Sequence, residues 1–161
     1  MKEEIIGLVA GGLALLNVVP YVISILKGIT EPSRSAYAIW LVIDTVVLVS
    51  YYSVGASNTL WAFAAFWFST VVVFLLSLKY GMPGFTRVDL VSIIIGVISI
   101  LLWVITSDPL ITLYSILVAK VMGYMPIVHK SYVHPKTENT LAWNITFAAS
   151  VLNLFAMKVF L

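Results

Sequence analysis

Six long apolar stretches follow one another along the chain, separated by short polar breaks. Within each stretch the apolar residues run on without regular alternation, which excludes the strands of a transmembrane barrel and predicts helices. A helix needs roughly 20 apolar residues to cross a hydrocarbon core about 30 Å thick. The pattern therefore predicts six transmembrane helices, at residues 5–26, 36–54, 59–79, 88–106, 109–128 and 139–160.

The composition supports this class of protein. Of the 161 residues, 61% are hydrophobic and 10% are charged, with a mean hydropathy of +1.07, so polar groups are too few to cover a water-soluble globule. The polar breaks are short, which predicts one integral-membrane domain over residues 1–161, an all-α helix bundle embedded in the lipid bilayer. The chain contains no cysteine, which excludes disulfides and thiolate metal sites.

Lysine and arginine residues concentrate at three of the five connections. The first, third and fifth connections hold six of them, whereas the termini and the even connections hold two. This asymmetry places the odd connections in the cytoplasm and both termini outside. The net charge of +2 follows from that topology and gives no reason to expect a nucleic-acid partner. The six lysine and arginine residues at the first, third and fifth connections are Lys27, Arg34, Lys79, Arg87, Lys130 and Lys136.

A sparse signature occurs twice, each time at a polar break between two apolar stretches. Its first copy is Lys27, Pro32 and Trp40, and the same residue types recur 103 residues later at Lys130, Pro135 and Trp143. Membrane anchoring is one interpretation, because a lysine at a helix end, a proline in a turn and a tryptophan at the interface are each common. That interpretation does not account for the shared spacing, which favours an internal duplication.

The repeat predicts a symmetry. The copies join helices 1 and 2 and helices 5 and 6, and an offset of four helices gives both the same orientation, so the duplication is parallel. Residues 1–80 form a three-helix unit, residues 88–106 an inverting linker helix (helix 4), and residues 109–161 an incomplete second unit. The third helix has no copy in the second unit. That unit is incomplete by nature, lacks a helix here, or is completed by a neighbouring subunit.

Six polar residues are predicted near the bilayer midplane, of which Asn17, Asp44 and Lys120 form the candidate site. The other three are Ser69, Thr70 and Ser150. A charged side chain facing lipid there costs about 2.5–3.5 kcal/mol on insertion scales, so Asp44 and Lys120 are expected to face the bundle interior. One interpretation is a structural pair that pins helices 2 and 5. The other is a polar cavity or substrate path, in which Asp44 takes a proton and Lys120 holds an anionic group such as a carboxylate.

Two prolines lie near the ends of the apolar stretches that precede the two copies, Pro20 and Pro126. Each removes the helical donor of the carbonyl four residues earlier, which bends a helix. Because each lies within about two turns of Asn17 or Lys120, both are candidate hinges, and simple helix packing is the alternative. Separately, Gly7 and Gly11 form a small-residue pattern on helix 1, predicting either an internal contact or the seam of a homodimer.

Sequence motifs for catalysis are lacking. His129 and His134 have no carboxylate constellation to complete a metal site, and no glycine-rich phosphate loop, nucleophile elbow or HExxH pattern occurs. We therefore expect no enzymatic activity, no cofactor and no bound metal.

Parallel three-helix units, a linker helix and a proline near the cytoplasmic end of the first helix of each unit resemble the PQ-loop and SWEET-like superfamily of membrane transporters. The similarity lies in residues 20–22, 27–40, 125–127 and 130–143, and is greatest to uncharacterised bacterial members, which usually have a seventh span. It implies a prokaryotic cytoplasmic membrane location. Tyr21 and Ile127 replace the name-giving glutamine, and helices 2 and 6 lack the proline of sugar-transporting members.

The resemblance implies transport, and the polar midplane residues indicate where a solute would bind. The first functional expectation is a secondary carrier or facilitator for a small polar solute held between the two repeats. The second is a non-transporting membrane module whose Asp44 and Lys120 only lock helices or recruit a partner. A channel is less favoured, because no ring of like charges or carbonyl-rich filter is visible.

Overall fold

A computed structural model describes residues 2–53, 57–82, 85–106 and 109–156. These residues form six α-helices and one 3₁₀ turn and contain no strand, which confirms the predicted all-α class. Residues 54–56, 83–84 and 107–108 and the end of the sixth apolar stretch lie outside the described residues. The helices are α1 (Lys2–Leu26), α2 (Arg34–Ser53), α3 (Ser57–Tyr80), α4 (Arg87–Thr106), α5 (Pro109–Val133) and α6 (Thr140–Ala156), with the 3₁₀ turn at Pro135–Thr137.

Several helices are suited to a bilayer. In the part of the chain that the structure describes, three are long and apolar enough to cross a membrane, over Glu4–Leu26, Leu60–Tyr80 and Arg87–Thr106. A shorter apolar helix covers Thr140–Phe155. Large apolar side chains such as those of Leu75, Ile105 and Phe147 are exposed on the outside. These features are compatible with an integral membrane protein.

The packing order of the helices leaves a space in the middle of the bundle. Helix α3 packs against both α1 and α2, α6 packs against α1, and α5 packs against α2. Helix α4 packs mainly on α5. Within the described residues, the consecutive helices α1 and α2 do not pack against each other, and neither do α5 and α6. Helix α3 therefore covers the gap between α1 and α2.

Small residues allow α1, α3 and α6 to approach closely. Ala14, Ala65 and Ala149, one from each helix, form a buried cluster. A Cβ atom on Gly11 would lie 3.1 Å from the main-chain carbonyl of Trp61 in α3. Gly11 therefore serves a contact within the bundle, and a homodimer through this face stays a prediction.

The described parts of the three odd connections meet at one end of the bundle, which we call the loop end (residues 27–33, 81–82, 85–86 and 134–139). The Glu31 amide donates to the Thr137 carbonyl at 3.2 Å, and the Met82 amide donates to the Pro32 carbonyl at 3.3 Å. The Arg34 guanidinium donates to the carbonyls of Ser77 and Gly81 at 2.9 and 3.1 Å. Arg34 thereby binds the end of α3, where the Ser77 carbonyl also accepts a hydrogen bond from the Gly81 amide at 2.8 Å.

Candidate functional site

A cavity of about 300 Å³ lies between α1, α2, α3, α5 and α6. All six residues predicted near the midplane line it, including Asn17, Asp44 and Lys120. The depth argument from the sequence did not fix which of these groups contact one another. The structure brings them together on one cavity, with further wall residues Tyr21, Trp40, Tyr124, Trp143 and Asn153.

Asp44 and Lys120 form an ion pair across the cavity. The Lys120 Nζ atom lies 3.3 Å from Asp44 Oδ1, and the Thr70 hydroxyl donates to Asp44 Oδ2 at 3.0 Å. The Asp44 side chain is 14% exposed and that of Lys120 is 38% exposed. Both carboxylate oxygens therefore have partners, whereas the lysine ammonium, with three N–H donors, keeps donors for another group.

Asn153 contributes an unsatisfied acceptor to the same cavity. This side chain on α6 is buried, and its Oδ1 atom has no hydrogen-bond partner in the described structure. A buried amide oxygen without a donor costs about 1–3 kcal/mol, so such a group calls for a ligand, a water molecule or another explanation. Sequence analysis missed Asn153, because an asparagine near the end of an apolar stretch gives no signal of its own.

The interval of 103 residues relates more pairs than the signature alone. Asn17 and Lys120 are 103 residues apart, as are Tyr21 and Tyr124 and also Trp40 and Trp143. All six line the cavity. Extending the same offset beyond the signature would have identified Tyr124 from the sequence.

Aromatic rings form the wall between the cavity and the loop end. Trp40 lies edge-to-face against Tyr37, Tyr124 and Trp143, with centroid distances of 5.4, 4.7 and 6.2 Å. Tyr21 continues the cluster at 6.2 Å from Tyr37. The two signature tryptophans thus contact each other inside the bundle, which differs from the interfacial anchoring considered from the sequence.

The other signature residues have unlike environments. Lys27 is exposed and Pro32 is buried, whereas Lys130 is buried and Pro135 is exposed. Lys130 pairs with Glu138, a residue that sequence analysis missed because it lies in a connection, where a charged residue normally indicates solvent exposure.

Pro20 and Pro126 lie inside α1 and α5 as predicted. The Pro20 carbonyl accepts a hydrogen bond of 3.1 Å from the Asn139 side chain, which also caps α6 by accepting the Ala142 amide at 2.9 Å. The proline in α1 is thereby tied to the start of α6. Its role as a hinge stays a prediction, as does that of Pro126.

Comparison of the chain with protein-family models, curated proteins and solved structures gives no match. The function is therefore argued from the cavity and its residues.

Proposed function

We propose that the protein is a membrane transporter, a carrier or facilitator that binds a small polar solute in the central cavity near the bilayer midplane. The observation that carries the proposal is the Asp44 and Lys120 pair on a cavity of about 300 Å³. Solute sites of transporters typically lie at this depth, between repeated units. The resemblance to the PQ-loop and SWEET-like superfamily supports the same function.

The proposal includes six membrane-spanning helices arranged as a parallel duplication. The packing order supports this arrangement. In a parallel duplication α1 corresponds to α5 and α2 to α6, so the contact of α1 with α6 corresponds to the contact of α5 with α2, and both are present. The three residue pairs spaced by 103 residues around the cavity support it as well. In this topology the loop end faces the cytoplasm, since six of the nine lysine and arginine residues lie in its connections or at the helix ends beside them.

The available hydrogen-bonding groups suggest how the solute is held. Lys120 donates to an acceptor or anionic group of the solute, such as a carboxylate, and Asn153 Oδ1 accepts from a solute N–H or O–H group. Aromatic rings of the wall pack against its apolar part. Asp44 takes up a proton when Lys120 turns to the solute, which couples transport to the proton gradient.

A ligand screen followed by an uptake assay tests the proposal. Purified protein is screened by thermal shift against sugars, amino acids, vitamins and organic acids, and uptake of each stabilising compound is measured in proteoliposomes. Lys120→Met is expected to weaken binding at least about tenfold, because a hydrogen bond to a charged group contributes about 1.5–3 kcal/mol. Asp44→Asn is expected to abolish the response of uptake to an imposed pH gradient.

Lys79→Met is the matched control, since Lys79 is an exposed lysine away from the cavity. The proposal fails if no compound stabilises the protein, or if Asp44→Asn and Lys120→Met both transport like the control.

The alternative is a non-transporting module in which the pair only joins α2 to α5. The 3.3 Å contact between Lys120 Nζ and Asp44 Oδ1 favours this alternative, because each charge neutralises the other. An ion pair whose aspartate is 14% exposed is poorly suited to stability alone, because apolar residues of similar volume often stabilise such a position as well or better. In this alternative, the double variant Asp44→Leu and Lys120→Met changes only the thermal stability of the protein and leaves compound binding and uptake as they are in the unchanged protein.

A further inference from the structure

A buried ionic cluster lies at the loop end, in contact with the cavity wall. Lys130 near the end of α5 is 4% exposed and Glu138, just before α6, is 9% exposed, measured on their side chains. The Lys130 ammonium contacts Glu138 Oε1 and donates to the main-chain carbonyls of Glu31 and Thr137. One side chain thus joins the α1–α2 connection to the α5–α6 connection.

The same cluster contacts the cavity wall. Glu138 Oε2 accepts hydrogen bonds from the Tyr21 hydroxyl at 3.1 Å and from the Trp143 indole N–H at 3.0 Å. Tyr21 and Trp143 both line the cavity. A solute that displaces either ring therefore removes a hydrogen-bond donor from Glu138. The cluster is then weaker, because a buried carboxylate is unfavourable unless its oxygens are hydrogen-bonded or paired.

Stability does not explain this arrangement. Burying two charges is costly, and well-packed apolar residues often stabilise such a position equally. At the corresponding positions 103 residues earlier the chain has Lys27, which is exposed, and Ser35, which carries no charge. The first connection thus forms without a buried ion pair, so the pair is particular to the place where the two connections meet.

We propose that Lys130 and Glu138 form a gate, which the structure shows closed, between the central cavity and the loop end. Opening separates the α1–α2 connection from the α5–α6 connection and breaks the contacts of Lys130 with Glu31, Thr137 and Glu138. The gate rests on the proposed transport function, and its test does not require the solute.

Single cysteines test the gate directly, because the chain contains no cysteine that would give background labelling. Thr146→Cys places the reporter in the cavity wall. A charged, membrane-impermeant methanethiosulfonate reagent is added to one face of sealed vesicles. Lys136→Cys, at an exposed position of the loop end, shows which face is being labelled.

We expect slow labelling of the Thr146→Cys reporter from the loop end in the otherwise unchanged chain. Glu138→Gln and Lys130→Met accelerate it at least about tenfold, which corresponds to about 1.4 kcal/mol in the opening equilibrium. Tyr21→Phe, a milder change that removes one donor to Glu138, accelerates labelling less and in the same direction. Lys27→Met, the control at the corresponding lysine of the first connection, leaves the rate unchanged.

Labelling from the opposite face separates gating from general loosening. The gate predicts that the rate from that face does not rise, whereas a destabilised bundle is labelled faster from both faces. Unchanged labelling in all three variants, or an equal rise from both faces, overturns the gate. If labelling behaves as expected while no compound is taken up, the transport proposal fails, and Lys130 and Glu138 are shown only to control access of the reagent to the cavity. Normal uptake with unaltered labelling overturns the gate alone.

Discussion

The indole nitrogen of Trp40 lies against the backbone of Gly123, where a Cβ atom would be only 2.1 Å from Nε1. The Trp40 ring in α2 therefore occupies the space that any side chain at residue 123 of α5 would need. The same ring lies against Tyr124 with a centroid distance of 4.7 Å. The position of this aromatic wall thus depends on the absence of a side chain at Gly123.

Gly123→Ala is expected to destabilise the protein by about 1–3 kcal/mol, because the added methyl group forces the Trp40 indole out of its packing. Thermal unfolding of the detergent-solubilised protein measures the effect. Gly12→Ala is the control, since a Cβ atom there meets nothing within 4 Å. It is expected to leave the melting temperature unchanged or to raise it, because alanine favours the helix by about 1 kcal/mol. Equal melting temperatures for the two variants would contradict the prediction.

Arg34 holds the end of α3 through its bonds to the Ser77 and Gly81 carbonyls. Arg34→Lys is expected to lose about 1.5–3 kcal/mol of stability, because an ammonium does not reproduce the planar donor pair of a guanidinium. Arg87→Lys, at an exposed arginine, serves as the control. Denaturation of the two purified variants side by side tests the difference, and a loss no greater than that of the control would show that the two bonds contribute little.

Asn153 is expected to trade stability for function. Asn153→Leu removes an unsatisfied buried oxygen and should stabilise the protein by about 1 kcal/mol or more, while reducing the thermal shift caused by a bound solute. Asn144→Leu, at an exposed position of the same helix, should change neither property. Thermal shift with and without the solute measures both effects. A less stable Asn153→Leu protein with unchanged solute binding would show that Oδ1 already has a partner.

Much of the helical architecture could be predicted from the sequence, because apolar runs of bilayer length leave few alternatives. The position of Asp44 and Lys120 inside the bundle could also be predicted, since the sequence places both in long apolar stretches, where a charge that faces lipid is costly. The contact between Asp44 and Lys120 could not be predicted, because the order in which helices pack depends on side-chain shapes, which the hydrophobic periodicity of a sequence does not show. Ala14, Ala65 and Ala149 illustrate this point: three ordinary alanines bring α1, α3 and α6 together.

Glu138 shows where sequence reasoning fails for the site. A glutamate in a connection between apolar helices indicates solvent exposure, yet it is buried here because the α1–α2 connection folds against it through Lys130. Burial of this kind is set by tertiary contacts between segments about a hundred residues apart. Lys27 is exposed and Lys130 is buried, a difference that could not be predicted because the repeat makes the two lysines equivalent.

The exchange of partners among the helices limits how the molecule can move. Because α6 rests on α1 and α5 rests on α2, each half of the chain carries a helix of the other. The first three helices therefore cannot rotate away from the last three as rigid bodies without exposing the α1–α6 and α2–α5 contact surfaces. A movement of the α1–α6 pair against the α2–α5 pair would instead keep both contacts, with α3, which packs on α1 and on α2, between the two pairs.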